Sequence, residues 1–85
     1  MLPFSSSSTA PRVGLIGFGA FGQLIARNLA AHMQVVVHDP AQPPKAPARV
    51  RFSTLEDACS CPLVILAVPV SSISDVCQRI APLLA

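Results

Sequence analysis

The chain has 85 residues, enough for one small domain that buries a smaller share of its surface than a domain of about 100–150 residues does. Hydrophobic residues make up 52% of it, charged residues 12%, and the formal net charge is +2. The basic residues are scattered and there is no Tyr or Trp to stack on bases, which argues against nucleic-acid binding. The longest apolar run, Leu63–Val70, is too short for a membrane span of about 20 residues.

Residues 1–11 are rich in Ser and Pro and carry no charged side chain, which predicts a disordered or loosely attached segment. The segment lacks the pattern of a secretory signal peptide and has less Arg than an organellar transit peptide normally carries. Three cysteines without a secretory signal indicate free thiols in a reducing cytoplasm rather than disulfides or a zinc site. A plastid location is the less favoured alternative.

The most informative stretch, residues 12–39, predicts a strand, a glycine turn, a helix and a second strand. The apolar run Val13–Ile16 leads directly into G-x-G-x-x-G at Gly17, Gly19 and Gly22. We expect the helix over about 20–32 and the second strand over about 34–38. The residues expected on the buried face of the helix are Phe21, Leu24, Ile25 and Leu29.

This pattern is typical of a turn that holds a dinucleotide phosphate. Gly17 would permit the tight turn, Gly19 would leave no side chain in the way of the pyrophosphate, and Gly22 would let the helix pack closely. The free amides at the helix start would face the anion. Asp39 ends the second strand at about the spacing of a carboxylate that binds ribose hydroxyls. The alternative is that the glycines only form a tight turn in an α/β protein that binds no ligand.

Four prolines within eight residues follow the second strand and forbid the regular helix often found there: Pro40, Pro43, Pro44 and Pro47. A short strand is expected over about 50–52, then a helix over about 54–60 that Ser53 or Thr54 caps. The continuous apolar stretch Leu63–Val68 is typical of a central parallel strand. A last helix is expected over about 72–81, capped by Ser71 or Ser72.

Right-handed crossovers between these elements give strand order 3-2-1-4 in a doubly wound parallel sheet. The predicted fold is therefore α/β, a partial Rossmann-type domain over residues 12–85 that stops after its fourth strand and the following helix. The fourth strand would be an exposed edge, so we expect the chain to be the amino-terminal part of a larger protein and to self-associate through that strand.

The ligand is expected at the switch point between the first and fourth strands. The predicted cofactor-binding residues are Gly17, Phe18, Gly19, Ala20, Phe21, Gly22, Asp39, Pro40, Val68 and Pro69. Ordinary strand termination is an equal alternative for Val68 and Pro69. No catalytic or metal-binding residue is identified. His38 is better explained by packing, because the reacting nicotinamide should lie at the other end of the cofactor.

Four stretches carry a family resemblance: VGLIGFGAFGQLIARNL, VVVHDP, VRFSTLEDA and LVILAVPVSSISDVCQRIAPLL. They resemble the amino-terminal domain of the prephenate and arogenate dehydrogenases of tyrosine biosynthesis, and G-F-G-x-F-G-Q is similar to the arogenate-type branch. The LAVPV segment is shared more widely, with hydroxyacid and reduced-deazaflavin families. The resemblance implies oxidative decarboxylation with hydride transfer to a nicotinamide. That family's catalytic His, its Ser partner and its substrate-binding Arg lie downstream of this chain, so binding without turnover is expected.

Asp39 favours NAD, because a carboxylate there repels the 2′-phosphate of NADP. Lys45 or Arg49 can reach back from the following loop, so NADP stays open. Three hypotheses follow: the cofactor-binding part of a tyrosine-pathway dehydrogenase, the same part of another nicotinamide or deazaflavin oxidoreductase, or a stand-alone dinucleotide-binding module. A small-molecule substrate is expected only in a longer protein.

Overall fold

The computed structural model describes residues 11–40 and 49–84. The segment predicted to be disordered, apart from Pro11, lies outside the described residues, as do Lys45 and all but the first proline of the proline-rich loop. The elements in chain order are β1 Arg12–Ile16, α1 Ala20–Leu29, β2 Gln34–His38, β3 Val50–Phe52, α2 Leu55–Cys59, β4 Leu63–Leu66, α3 Val70–Ile80 and a 3-10 turn Ala81–Leu83. Neither described range contains a helix with the length and apolar character needed to cross a membrane.

The strands form one parallel sheet in the order β3-β2-β1-β4. Strand β1 is central, and its Val13 pairs with Val35 of β2 on one side and with Leu63 of β4 on the other. This arrangement confirms the predicted α/β fold with strand order 3-2-1-4. The carboxyl ends of all four strands therefore meet at one edge of the sheet, where such folds bind ligands.

Both faces of the sheet are covered, because successive strand side chains point to opposite faces and both sets are apolar. Val13, Leu15 and Val37 pack in the core on the α1 face. Ile16 and Val36 pack in a second core with residues of α2 and α3. The two cores hold the sheet between one helix layer and another.

Helix α1 buries a different face from the one predicted. Phe21 and Leu24 are 67% and 51% exposed, whereas Gly22 and Ala26 are buried. The helix lies very close to the glycine turn: a Cβ atom on Gly22 would stand 2.4 Å from the carbonyl oxygen of Gly17. This distance leaves room only for small residues on the inner face. The prediction was therefore wrong for Phe21 and Leu24, and the helix also ends at Leu29, three residues earlier than expected.

The two later helices begin differently from one another. Thr54 caps α2, as one of the two predicted candidates, and its hydroxyl accepts a hydrogen bond from the Asp57 amide at 3.0 Å. Helix α3 begins at Val70 with Pro69 at the cap position and no side-chain cap. The prediction of a Ser71 or Ser72 cap was wrong, because Pro69 starts the helix earlier and places both serines inside it.

Asp57 of α2 joins three elements through its carboxylate. Arg51 of β3 and Arg12 of β1 lie 3.1 and 3.7 Å from it, and the Ser53 hydroxyl donates to it at 2.6 Å. The hydrogen bond from Ser53 and the two guanidinium groups hold the pKa of Asp57 below its ordinary value of 3.8. This cluster fixes α2 to the sheet and uses two of the chain's basic side chains.

Candidate functional site

The glycine turn is anchored on both sides to the end of the sheet. The Gly17 amide donates to the His38 carbonyl at 2.9 Å, and the Ala67 amide donates to the Ile16 carbonyl at 2.8 Å. Gly17 has φ +104°, and a Cβ atom on it would stand 2.5 Å from the Ala67 carbonyl oxygen. Both its backbone conformation and its close neighbour therefore require glycine at this position.

Gly19 has a different environment from the other two motif glycines. It is the N-cap residue of α1 with an ordinary φ of −73°. A Cβ atom on it would meet no atom within 4 Å among the described residues outside its own chain neighbours. Gly17 and Gly22 thus pack against the protein itself, whereas Gly19 faces open space at the amide end of a helix of ten residues.

Asp39 is bound directly to the glycine turn. Its Oδ2 atom accepts a hydrogen bond from the Phe18 amide at 2.5 Å. The Phe18 carbonyl accepts from the Gln23 side chain at 3.3 Å, and the Phe18 ring is buried edge-to-face against Phe52 with 5.0 Å between centroids. The backbone of the turn is therefore held from the end of β2, from α1 and from β3.

A cleft of about 480 Å³ opens between the glycine turn, the end of β2 and helix α3. Seven of the ten predicted site residues line it: Gly17, Phe18, Gly19, Asp39, Pro40, Val68 and Pro69. Ala20 and Phe21 are exposed at the start of α1 outside this lining, and Gly22 is buried beneath the turn. The role of these ten residues in cofactor binding remains a prediction.

Helix α3 contributes a wall of the cleft that the sequence analysis missed. Its lining residues are Ser72, Asp75, Val76, Arg79 and Ile80. Helix α3 begins at Val70, so Asp75 lies in its second turn. The spacing of three and four residues already indicated one helix face. This wall was missed because the sequence predicted a helix start at about residue 72, whereas the helix begins at Val70.

Packing accounts for His38 and for two of the cysteines near the sheet. The His38 ring nitrogen Nδ1 lies 3.1 Å from the Ser53 carbonyl oxygen, as suits a packing role. Burial raises the pKa of the Cys59 thiol, so it stays protonated at neutral pH, and Cys61 is also buried. Cys77 is exposed on α3. In the part of the chain that the structure describes, no group of three or more His, Cys, Asp or Glu side chains is arranged to hold a metal ion.

A family model described as NADP oxidoreductase, coenzyme F420-dependent, matches residues 12–85. The chain belongs to this family. Membership places it among oxidoreductases with a Rossmann-type nucleotide-binding domain, in agreement with the observed sheet. It does not single out the prephenate and arogenate dehydrogenases. Neither a curated protein nor a solved structure matches the chain.

Proposed function

We propose that this chain binds a nicotinamide dinucleotide, with NAD preferred over NADP, as the cofactor-binding part of a dehydrogenase. The diphosphate lies against the amide end of α1 at Gly19, and the adenosine ribose lies at Asp39. The other predicted site residues complete this binding surface around the turn and the end of β4. When bound, the nicotinamide supplies the hydride chemistry, and this chain supplies its binding and orientation.

The observation that carries the proposal is the empty space beside Gly19. Packing explains glycine at positions 17 and 22, since a Cβ atom there would overlap protein backbone. Within residues 11–40 and 49–84, no neighbouring atom explains glycine at position 19. A bare backbone at the positive end of a helix, open to solvent and beside a cleft, suits an approaching phosphate.

Asp39 supports the preference for NAD. Its carboxylate lines the same cleft as Gly19 and is held in place by the Phe18 amide. A carboxylate accepts hydrogen bonds from both hydroxyls of a ribose, and it repels a 2′-phosphate at the same position. The family description names NADP, so the proposed preference for NAD differs from that description.

Titration of the whole chain with NADH, followed by nicotinamide fluorescence, tests the binding site. We expect Gly19→Val to abolish binding by filling the phosphate's space. Asp39→Ala should weaken NADH binding by about 1–3 kcal/mol through lost hydrogen bonds to a charged group. Asp39→Asn keeps an acceptor for the Phe18 amide but loses the charge, so it should bind NADH better than Asp39→Ala.

The same series with NADPH tests the cofactor preference. The wild-type chain should bind NADH more tightly than NADPH, and both Asp39 variants should narrow that difference because the repulsive charge is gone. Gly19→Ala is the matched control for Gly19→Val, with a smaller side chain at the same site, and should weaken binding less. Equal NADH affinity in the wild-type chain and all the variants would reject the site.

For the reaction, we propose the oxidative decarboxylation of prephenate or arogenate, carried out by a longer protein. The support is the four-stretch resemblance over residues 12–84. Another nicotinamide or deazaflavin oxidoreductase is the alternative, favoured by the family description. We expect the chain alone to bind NADH without turning over either acid. A longer reading frame that lacks a His-Pro segment after a fifth strand would contradict the tyrosine-pathway assignment.

For the cellular location, we propose a reducing cytoplasm, because all three cysteines are free thiols.

We also propose that the chain self-associates through β4. Within the described sheet β4 is an edge strand, and its Leu63 side chain is 56% exposed. The strand residues 63–66 include no charge and no proline, the features that usually protect an edge. We expect sedimentation velocity to show species larger than a monomer, and Leu63→Lys to reduce them. A monodisperse monomer at all concentrations would contradict this.

A further inference from the structure

Helix α3 carries an exposed stripe without charged side chains, on the flank opposite the cleft. Val76 and Ile80, on the neighbouring face, pack in the second core instead. Members of the stripe recur every three or four residues, which places them on one face of the helix. They are all apolar or small: Val70, Ile73, Ser74, Cys77, Ala81 and Leu84. Val70 is 85% exposed and Leu84 is 48% exposed, so the described part of the chain leaves this α3 stripe largely uncovered.

The α3 stripe lies on the same side of the molecule as the free edge of β4. Helix α2 packs over β1 and β2 and contacts α3 on the same face of the sheet. Because β4 is the strand beyond β1, α3 lies on the β4 side of α2. Val64 and Leu66 of β4, which pack in the second core under these helices, are only half-buried. The edge strand and the stripe therefore border the same side of the fold.

Pairing at β4 alone would give a small contact between two copies. The strand has four residues, whereas stable interfaces bury about 1,200–2,000 Å² in total. A two-fold axis makes two identical edge strands antiparallel. It also places the two copies of α3 on the same face of the joined sheet, antiparallel and next to each other. The six residues of the α3 stripe then add to the four residues of β4.

We infer that the α3 stripes of two copies pack against each other, an inference that rests on the proposed self-association through β4. In an antiparallel pair centred on Cys77, position 77 meets its own copy, position 70 meets position 84, and position 73 meets position 81. Large Val70 therefore meets large Leu84 at both ends, and small side chains meet near the centre, where helices can approach closely. The stripe is complementary to itself, as a two-fold interface requires. The assembly closes at two copies, because each copy uses its β4 edge and its stripe once.

Cys77 reports this geometry directly. The axes of packed helices lie about 8–10 Å apart, and each Cα atom lies about 2.3 Å from its own axis. Two facing Cys77 residues would thus have their Cα atoms within about 6 Å of each other, close enough for a short crosslink between the thiols. Cys59 and Cys61 are buried and do not compete for the reagent.

Crosslinking of the whole chain with a short bis-maleimide tests the pairing. We expect a covalent dimer from the wild-type chain and its loss in Cys77→Ser. The matched control combines Cys77→Ser with Ser71→Cys, which puts an exposed thiol six residues earlier in the same helix. Its two copies would lie about 18 Å apart along antiparallel helices, beyond the reach of the reagent. A dimer crosslinked as well through position 71 as through Cys77 would indicate another packing and overturn the inference.

A second pair of variants tests the stripe with a charge. Val70→Glu places a carboxylate in the stripe opposite Leu84, where it would be buried without a partner. We expect it to raise the dimer dissociation constant by about tenfold or more, measured by sedimentation velocity. Ser71→Glu adds the same charge at an exposed neighbouring position outside the stripe and should leave the constant unchanged. Equal effects of the two substitutions would contradict the pairing.

Sedimentation over a range of concentrations also tests closure. The wild-type chain should stop at the dimer, and continued growth into larger species would overturn the inference. A dimer that gives no crosslink at Cys77 would overturn the α3 pairing while leaving association through β4 intact. A monomer at all concentrations would overturn the self-association itself. Absence of NADH binding in a chain that still dimerises would overturn only the proposed cofactor site.

Discussion

Adding a single methyl group to Gly17 or to Gly19 is the same chemical change with different expected outcomes. At Gly17 the new Cβ atom would stand 2.5 Å from the Ala67 carbonyl oxygen on a backbone with φ +104°. We expect Gly17→Ala to lower the free energy of unfolding by about 2–4 kcal/mol, since strain and overlap add. The methyl group of Gly19→Ala would meet no neighbour in the part of the chain that the structure describes, so the unfolding free energy should change by no more than about 0.5 kcal/mol.

Urea unfolding of the two alanine variants and the wild-type chain measures this difference. A similar loss of stability in both variants would mean that the turn is not built as described. A stable Gly19→Ala also matters for the binding experiments, because it separates lost affinity at Gly19 from lost folding.

At the residue scale, the motif spacing predicted Gly17 in the turn after β1, Gly19 at the start of α1 and Asp39 after β2, and the structure has them there. Their role in binding stays a prediction. The pattern of residue types could not predict that Asp39 accepts a hydrogen bond from the Phe18 amide. That contact depends on the strand register of β1 and β2, which brings Ile16 opposite His38. Register is a tertiary property, and the sequence contains no local signal for it.

At the element scale, α1 shows where apolar periodicity misleads. The large residues Phe21 and Leu24 followed the expected spacing, but the helix turns Gly22, Ala26 and Ala30 to the sheet. A stripe of small residues every four positions was the available signal. The close approach of helix and turn at Gly22 decides which face is buried, and hydrophobicity counts do not include that distance.

The inner face of α1 should therefore tolerate less change than the outer face. Ala26 is fully buried against the sheet. We expect Ala26→Leu to lower the free energy of unfolding by about 1–3 kcal/mol through overpacking. Leu24→Gln, on the exposed face, should change it by no more than about 0.5 kcal/mol. Equal losses of stability in the two variants, measured by thermal or urea unfolding, would instead support the buried face that the sequence predicted.

At the scale of the whole molecule, the Asp57 cluster links stability to pH. The folded-state pKa of Asp57 lies below its ordinary value of 3.8 because Ser53, Arg51 and Arg12 favour the charged form. Its contribution to stability is therefore complete above the ordinary value and is lost as the pH falls through the lower folded-state pKa. Asp57→Asn should be less stable than the wild-type chain at neutral pH.

Unfolding measured between about pH 6 and pH 3 checks this linkage. The difference between the wild-type chain and Asp57→Asn should shrink as the pH falls, because protonation removes the same charge that the substitution removes. Glu56→Gln, a neighbouring exposed carboxylate, is the control. A difference that stays constant with pH would show that the carboxylate's charge does not stabilise the fold.

The whole fold was the most predictable level, because it rests on long patterns and not on single contacts. Continuous apolar strands, a glycine turn and right-handed crossovers together leave few alternatives to the order 3-2-1-4. The α3 wall of the cleft was missed because its position depends on where Pro69 starts the helix. A shift of two residues at a helix start rotates its side chains by about half a turn.

The hydrogen bond between the Phe18 amide and Asp39 has a consequence for any attempt to redesign coenzyme choice. Asp39 would discriminate between the two nicotinamide coenzymes, and it also stabilises the glycine turn that would bind their common diphosphate. Replacing Asp39 with a larger or cationic residue would change the coenzyme preference but would also remove the hydrogen bond that keeps the turn rigid. An engineer seeking the phosphorylated coenzyme should therefore begin with a short, uncharged acceptor at this position and introduce the new positive charge elsewhere.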